Sequence, residues 1–314
     1  MVKNLIGNTP LVKIKVKVKD KIKNIYAKLE YYNYTGSIKD RLAKFIIEKA
    51  YNSGDLKLGM PIVEATSGNT GISFAALGAY YGHKVHIFIP DWASKERIEL
   101  MKLYGAYIHF VSKEEGGFLE AIKRADEYAR DNNGFRPNQF KNNLNIDSHY
   151  YGTGKEITEK LNEIDAFVSG FGTGGTLMGV SKNIKEKFEN AKIIAVEPEN
   201  MTLLGETQKI GSHKIEGIGD DFIPELINRE TINDVVLVSD YDAISSARLL
   251  AKKLGLAVGI SSGANFFASV MSGEDNVVTI FADDAKKYLS TDLTKYDNMD
   301  DFSNLYEIVG FEVL

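Results

Sequence analysis

A chain of 314 residues, 44% hydrophobic and 26% charged, is long enough for one large domain or for two that share a cleft. Its formal net charge of −5 offers no basic domain for nucleic acid, and the absence of cysteine excludes disulfides, thiolate metal sites and a cysteine nucleophile. The opening MVKNLIGNTPLV lacks the apolar core and cleavage site of a signal peptide. No run reaches the roughly 18 apolar residues of a membrane span, so the expected setting is the cytoplasm.

Between residues 13 and 23, lysines alternate with apolar residues, which predicts a strand or hairpin with one solvated face. Asn24 to Leu29 predicts a strand. Ile38 to Ser53 predicts a helix, apolar at Leu42, Ala43, Phe45, Ile46 and Ala50. A strand at Met60–Glu64, a polar turn at 66–71 and an apolar helix at Gly71–Tyr81 follow. Next come a strand at Lys84–Ile89, a helix at Ser94–Tyr104, a strand at Tyr107–Val111 and a helix at Phe118–Asp131. Of the five histidines, only His83 and His86 are close, and they are assigned to alternating faces of an edge strand rather than to a metal. The sequon-like Asn33-Tyr34-Thr35 is taken as a chance match.

Beyond a loop over 138–148 the alternation resumes. Tyr151–Asn162 predicts a helix, Ala166–Ser169 a strand, Phe171–Gly175 a turn, Leu177–Phe188 a helix and Ile193–Glu197 a strand. Later elements are a helix at Tyr241–Leu254 and a strand at Asn276–Phe281. Strands alternating with helices predict parallel sheets with buried strands, and the break near residue 140 predicts two α/β lobes. Ligands of such folds bind beyond the carboxyl ends of the strands, where the glycine-rich turns fall.

Four segments carry chemistry. In Tyr34-Thr35-Gly36-Ser37-Ile38-Lys39-Asp40-Arg41, a lysine stands at a helix start, a position that favours anions. It suits a Schiff-base lysine or, read plainly, a charged helix face after a serine cap. Thr66-Ser67-Gly68-Asn69-Thr70-Gly71 collects donors for a carboxylate or phosphate ahead of an apolar helix, more than a cap needs. Gly172-Thr173-Gly174-Gly175-Thr176 opens a helix after a strand and suits a single phosphate. It lacks a Walker ending, and Glu197 leaves a dinucleotide as the alternative. Gly259-Ile260-Ser261-Ser262-Gly263-Ala264 reads as a small-residue turn that brings a hydroxyl to a ligand or is merely tight.

In this order and spacing, the four segments resemble the cysteine synthase and cystathionine β-synthase family of fold-type II pyridoxal-phosphate enzymes. Ile6-Gly7-Asn8-Thr9-Pro10-Leu11, Gln139-Phe140 and Glu216-Gly217-Ile218-Gly219 extend the resemblance over about residues 4 to 295. It implies two three-layer α/β lobes with mostly parallel sheets, like tryptophan synthase β. The smaller, mobile lobe would span 36–145 and the larger 1–35 plus 146–314. It implies pyridoxal 5′-phosphate on Lys39, which then serves as base and acid, with Asn69 beside the ring hydroxyl. Gly172, Thr173, Gly174, Gly175 and Thr176 would hold the phosphate, and Ser261 would face the pyridine nitrogen. Thr66, Ser67, Gly68, Thr70, Gln139 and Gly217 would surround the substrate. A serine cannot protonate that nitrogen as an acid would, so the ring is a weaker electron sink and chemistry at the β-carbon is favoured.

The expected activity is β-replacement or β-elimination on an amino acid through an α-aminoacrylate, with sulfide or a thiol as co-substrate and a homodimer as the assembly. Activated serine with sulfide would give cysteine. Cysteine would give sulfide with serine, lanthionine or cystathionine. Serine or threonine dehydration is the alternative chemistry, and a degenerate binding protein the alternative class, which the presence of Lys39 disfavours. The chain departs from common cysteine synthases at Asp220-Asp221-Phe222, where small residues are usual. The cystathionine β-synthase branch is closer there. Either Asp220 or Asp221 would act as general base on water or a thiol, or both would face solvent. The regulatory domain and haem cysteine of animal cystathionine β-synthases are not expected here.

Overall fold

The computed structural model describes residues 2–205, 207–295 and 305–314. β1 (Leu11–Val18) and β2 (Lys21–Leu29) form the hairpin that the lysine alternation predicts, paired from Leu11 opposite Lys28 to Val18 opposite Lys21. Ile14 and Val16 point into the core while Lys15 and Lys17 face solvent. α1 (Lys39–Ser53) ends at Gly54, whose left-handed φ of 83° closes the helix. Then β3 (Ile62–Ala65), α2 (Asn69–Tyr81), β4 (Val85–Pro90), α3 (Lys95–Leu103), β5 (Tyr107–Val111) and α4 (Gly117–Asp131) alternate. β3, β4 and β5 make a parallel sheet in that order. Leu42, Ile46, Ile72, Phe74 and Leu77 of α1 and α2 cover one face, and Ala121 and Ala125 of α4 cover the other. Each large side chain buried this way contributes on the order of 2 kcal/mol.

α5 (Leu144–Ser148) passes through a π-turn at His149–Gly154 into α6 (Lys155–Lys160). β6 (Ala166–Gly170), α7 (Gly175–Lys187), β7 (Lys192–Pro198), the short pair β8 (Met201–Thr202) and β9 (Lys209–Ile210), β10 (Asp234–Val238), α8 (Asp240–Leu254), α9 (Ile260–Met271), β11 (Asn276–Phe281) and β12 (Glu307–Val313) complete the chain. A seven-stranded sheet runs β10-β7-β6-β11-β2-β1-β12, parallel from β10 to β2 and antiparallel at β1 and its two neighbours. α8 and α9 pack on one face, α6 and α7 on the other. Both sheets are thus the middle of three layers, as expected.

Two readings change, and one strand is added. Residues 260–264 are the first turn of α9, not a free tight turn. Their small size serves packing, since a Cβ on Gly263 would stand 2.1 Å from the Ala243 carbonyl of α8. β4 is the central strand of its sheet, not an edge. His86 is buried there against the stacked ring of His109, with Nδ1 to Nε2 3.1 Å, and His83 lies past the end of α2 with its Nδ1 2.8 Å from the Met60 carbonyl. β12, alternating too weakly to be recognised, pairs Val313 with Val12 at the sheet edge.

Candidate active site

β3, β6 and β11 all end at one cavity, where a ligand of such a fold is expected. Lys39, Thr66, Ser67, Asn69, Thr70, Gln139, Gly172, Thr173, Gly174, Thr176, Gly217, Asp220 and Ser261 all line it. Segments separated by up to 222 positions in sequence therefore meet at one place, at the strand ends where they were expected.

Lys39 is the first residue of α1, and its amine makes no hydrogen bond among the described residues. Burial lowers its pKa to about 8, although Asp220 and Asp283 act to raise it. It is therefore easily neutralised for condensation with an aldehyde. Opposite, the 172–176 turn leads into α7, where the Gly175 N–H donates to Thr173 Oγ1 at 3.4 Å and the N–H groups of Thr176 and Leu177 have no acceptor among the described residues and can meet an anion. Gly174 has φ +87°, and a Cβ on Gly172 would lie 2.7 Å from the Gly217 carbonyl. The turn needs glycine for its bend and for that close approach. Asn145 Nδ2 donates to Thr173 Oγ1 at 2.9 Å, and Thr176 Oγ1 lies 3.3 Å from His149 Nε2. Burial first, then the charges of Lys39 and Arg41, hold the His149 imidazole neutral.

The 66–70 turn opens α2. Thr66 Oγ1 accepts from the Gly68 N–H, and Thr70 Oγ1 donates to Gln139 Oε1 at 2.6 Å while Gln139 Nε2 donates to the Ala65 carbonyl. Gly68 and Gly175 do not line the cavity. The side chain of Arg97 covers Gly68, and the amide of Asn145 covers Gly175. Ser261 is buried at the start of α9, and its hydroxyl has no protein partner among the described residues.

Asp220 and Asp221 part company. Asp221 is exposed and outside the cavity, so the base role allowed for it is not supported by its position. Asp220 turns inward beside Gly172. Burial and the charge of Asp221 raise its carboxyl to about 6, against the opposing effect of Lys39. That value suits a base near neutral pH. Phe222 anchors this loop, its ring 5.3 Å from that of Phe140 and 6.5 Å from that of Phe118.

Sequence reasoning missed Asp283, Arg97, Asn145 and His149. Asp283 sits just past β11, so the strand-end rule offered a signal; the other three lie on helices and offered none. Glu216 of the 216–219 segment forms an ion pair with buried Arg97.

A cofactor with an aldehyde, a phosphate and a polar ring fits these residues. The amine, the anion turn and the Ser261 hydroxyl all face one cavity, and Asn69 Oδ1 is buried there without a protein partner. Fold and site together define a pyridoxal-phosphate enzyme of the two-lobed α/β type. The family model for pyridoxal-phosphate dependent enzymes matches residues 2–283. Cysteine synthase B of Campylobacter jejuni is 45% identical over 298 residues, covering 93% of this chain and 97% of that protein. A crystal structure of a hydrogen sulfide-producing enzyme from Fusobacterium nucleatum is 46% identical, with a TM-score of 0.92, covering 100% of this chain and 98% of that one. A second structure of it, an aspartate-to-asparagine mutant with an alpha-aminoacrylate intermediate, has a TM-score of 0.93 at 46% identity, covering 99% and 98% of the two chains. The chain belongs to the pyridoxal-phosphate dependent enzymes of the cysteine synthase and cystathionine β-synthase type.

Proposed function

We propose that this enzyme removes the thiol of cysteine as sulfide and completes the reaction with water, giving serine. Cysteine plus water then equals serine plus hydrogen sulfide. Bound at Lys39, the cofactor supplies the electron sink for loss of the α-proton and then of the β-substituent. The Lys39 amine takes and returns the α-proton. Thr66, Ser67 and the second N–H of Gln139, with the free N–H groups at the start of α2, bind the substrate carboxylate, Thr70 orients Gln139, and the 172–176 turn holds the phosphate. Asp220 takes a proton from the water that adds at the β-carbon.

The observation that carries this reading is the inward Asp220, beside Lys39 with a carboxyl raised to about 6, where common cysteine synthases have a small residue. The Fusobacterium relatives support it through their reported hydrogen sulfide production and the aminoacrylate found with an aspartate replaced. Synthesis of cysteine from an activated serine and sulfide is the second reading, favoured by the kinship to cysteine synthase B. A homodimer, which the family resemblance implies, would be tested by light scattering. Asp220→Asn should lower steady-state sulfide release from cysteine by about 10²- to 10⁴-fold, the usual worth of a general base. Asp221→Asn should stay within about twofold of the parent. Equal rates in Asp220→Asn and the parent would defeat the proposal.

A further inference from the structure

Asp283 is an acid 1% exposed, next in sequence to Ala282 of the cavity wall and unused by the chemistry above. Its backbone is pinned beside the lysine turn: it bridges to Ser37, and its carbonyl accepts from the Gly259 N–H at 3.0 Å. A Cβ on Gly259 would stand 2.0 Å from its Oδ1, so glycine there leaves room for this acid. Asp283 Oδ2 accepts from Asn69 Nδ2 at 2.7 Å and from the Tyr288 hydroxyl at 2.8 Å. Arg97, stacked over the Tyr288 ring at 4.6 Å, stands 3.8 Å from the same oxygen.

A carboxylate only accepts hydrogen bonds, whereas an asparagine amide has a donating and an accepting end. The Asp283 contact therefore dictates which way Asn69 faces. The amide nitrogen must turn to the acid, and the carbonyl end and the second N–H are left for whatever occupies the cavity. Asn69 Oδ1 is buried without a protein partner. A neutral neighbour would not enforce this, because an amide can offer either end.

We propose that Asp283 is a positioning residue for the cofactor. It fixes the Asn69 amide in one orientation and through it the face and tilt of the ring bound at Lys39. The proposal rests on the placement of Asn69 beside the cofactor ring. Arg97 ties the same carboxylate to Glu216, so the orientation is linked to the loop that carries Asp220.

The test is a double-mutant cycle on the purified holoenzyme and its resolved apoprotein. Cofactor affinity and the visible absorption band of the lysine-bound cofactor are read, with the thermal midpoint of the apoprotein alongside. Asp283→Asn keeps the shape and loses the one-way acceptor. It should weaken cofactor binding about 10- to 150-fold, the worth of a hydrogen bond to a charged group, and shift the band. In an Asn69→Ala background the same change should move affinity by less than about twofold and leave the band in place. Equal effects in both backgrounds would mean that Asp283 only supports Tyr288 and Arg97, and would overturn the proposal. Asn69→Ala with the parent's affinity and band would overturn the placement of Asn69 itself, a failure visible before Asp283 is changed. Should Asp283→Asn not fold, Asn69→Asp keeps the shape of Asn69 but has no N–H for the acid, and should weaken cofactor binding and shift the band; the parent's affinity and band in that variant would overturn the proposal.

Discussion

Asp220 and Glu156 are two acids that the fold drives in opposite directions. Burial and a like charge push Asp220 to about 6. The cost of ionising it is absent below its ordinary value of 3.8 and fully present above about 6, so this group erodes apoprotein stability as pH rises across that window. Asp220→Asn should therefore stabilise the apoprotein by about 1–3 kcal/mol at neutral pH while disabling it, a trade typical of catalytic groups. Denaturant melts at low and neutral pH would read the difference, which should vanish at low pH. The same titration should appear as an acid limb in sulfide release, activity rising with pH through about 6. A limb unchanged in the residual activity of Asp220→Asn would assign it to another group.

At the scale of elements, a buried ionic network ties the hairpin to α1 and α6. Arg41 bonds Glu30 and Glu156, and Lys28 reaches Glu156 at 2.7 Å. Burial alone would raise the Glu156 carboxyl, but Arg41 and Lys28 bring it down to about 2. Its contribution is complete above its ordinary 4.5 and is lost as pH falls through about 2. Glu156→Gln leaves Lys28 buried with a charge poorly matched and should cost about 3–5 kcal/mol in urea unfolding at neutral pH. None of this network was legible in the sequence, because its members are scattered and each looks like a surface charge. The helices and strands from Lys39 to Asp131 were legible because their period and punctuation agree. α9 was not, because its small residues answer to the neighbouring α8 and read locally as a turn. The site shows the same division. Lys39, Asn69 and the 172–176 turn sit in contiguous motifs. Asp283 and His149 act on those motifs from a distance in sequence. The choice between Asp220 and Asp221 needed the fold, since neighbours on a loop face opposite ways.

Across the whole molecule, the cavity lies between residues of the three-stranded and the seven-stranded sheet, and side-chain contacts join the two sides around it. Arg97 with Glu216, and Phe118 and Phe140 with Phe222, are among them. We expect residues 36–145 to move as the smaller lobe and to close when a carboxylate binds the 66–70 turn, excluding bulk water. Phe222→Ala should loosen the Asp220 loop without unfolding the protein. Part of the eliminated amino acid should then escape as pyruvate and ammonia, and the serine formed per sulfide should fall below one. A ratio unchanged from the parent would show that the aromatic contact is not what holds the loop. The central claim is that water, handled by Asp220, completes the reaction begun at Lys39. Its most direct test is cysteine turned over in heavy-oxygen water, with serine and sulfide both measured. The expected result is one serine per sulfide, labelled at the side-chain hydroxyl, with serine formation lost in Asp220→Asn and its rapid sulfide release limited to about one equivalent per site. Sulfide accompanied by pyruvate alone, or unlabelled serine, would contradict it.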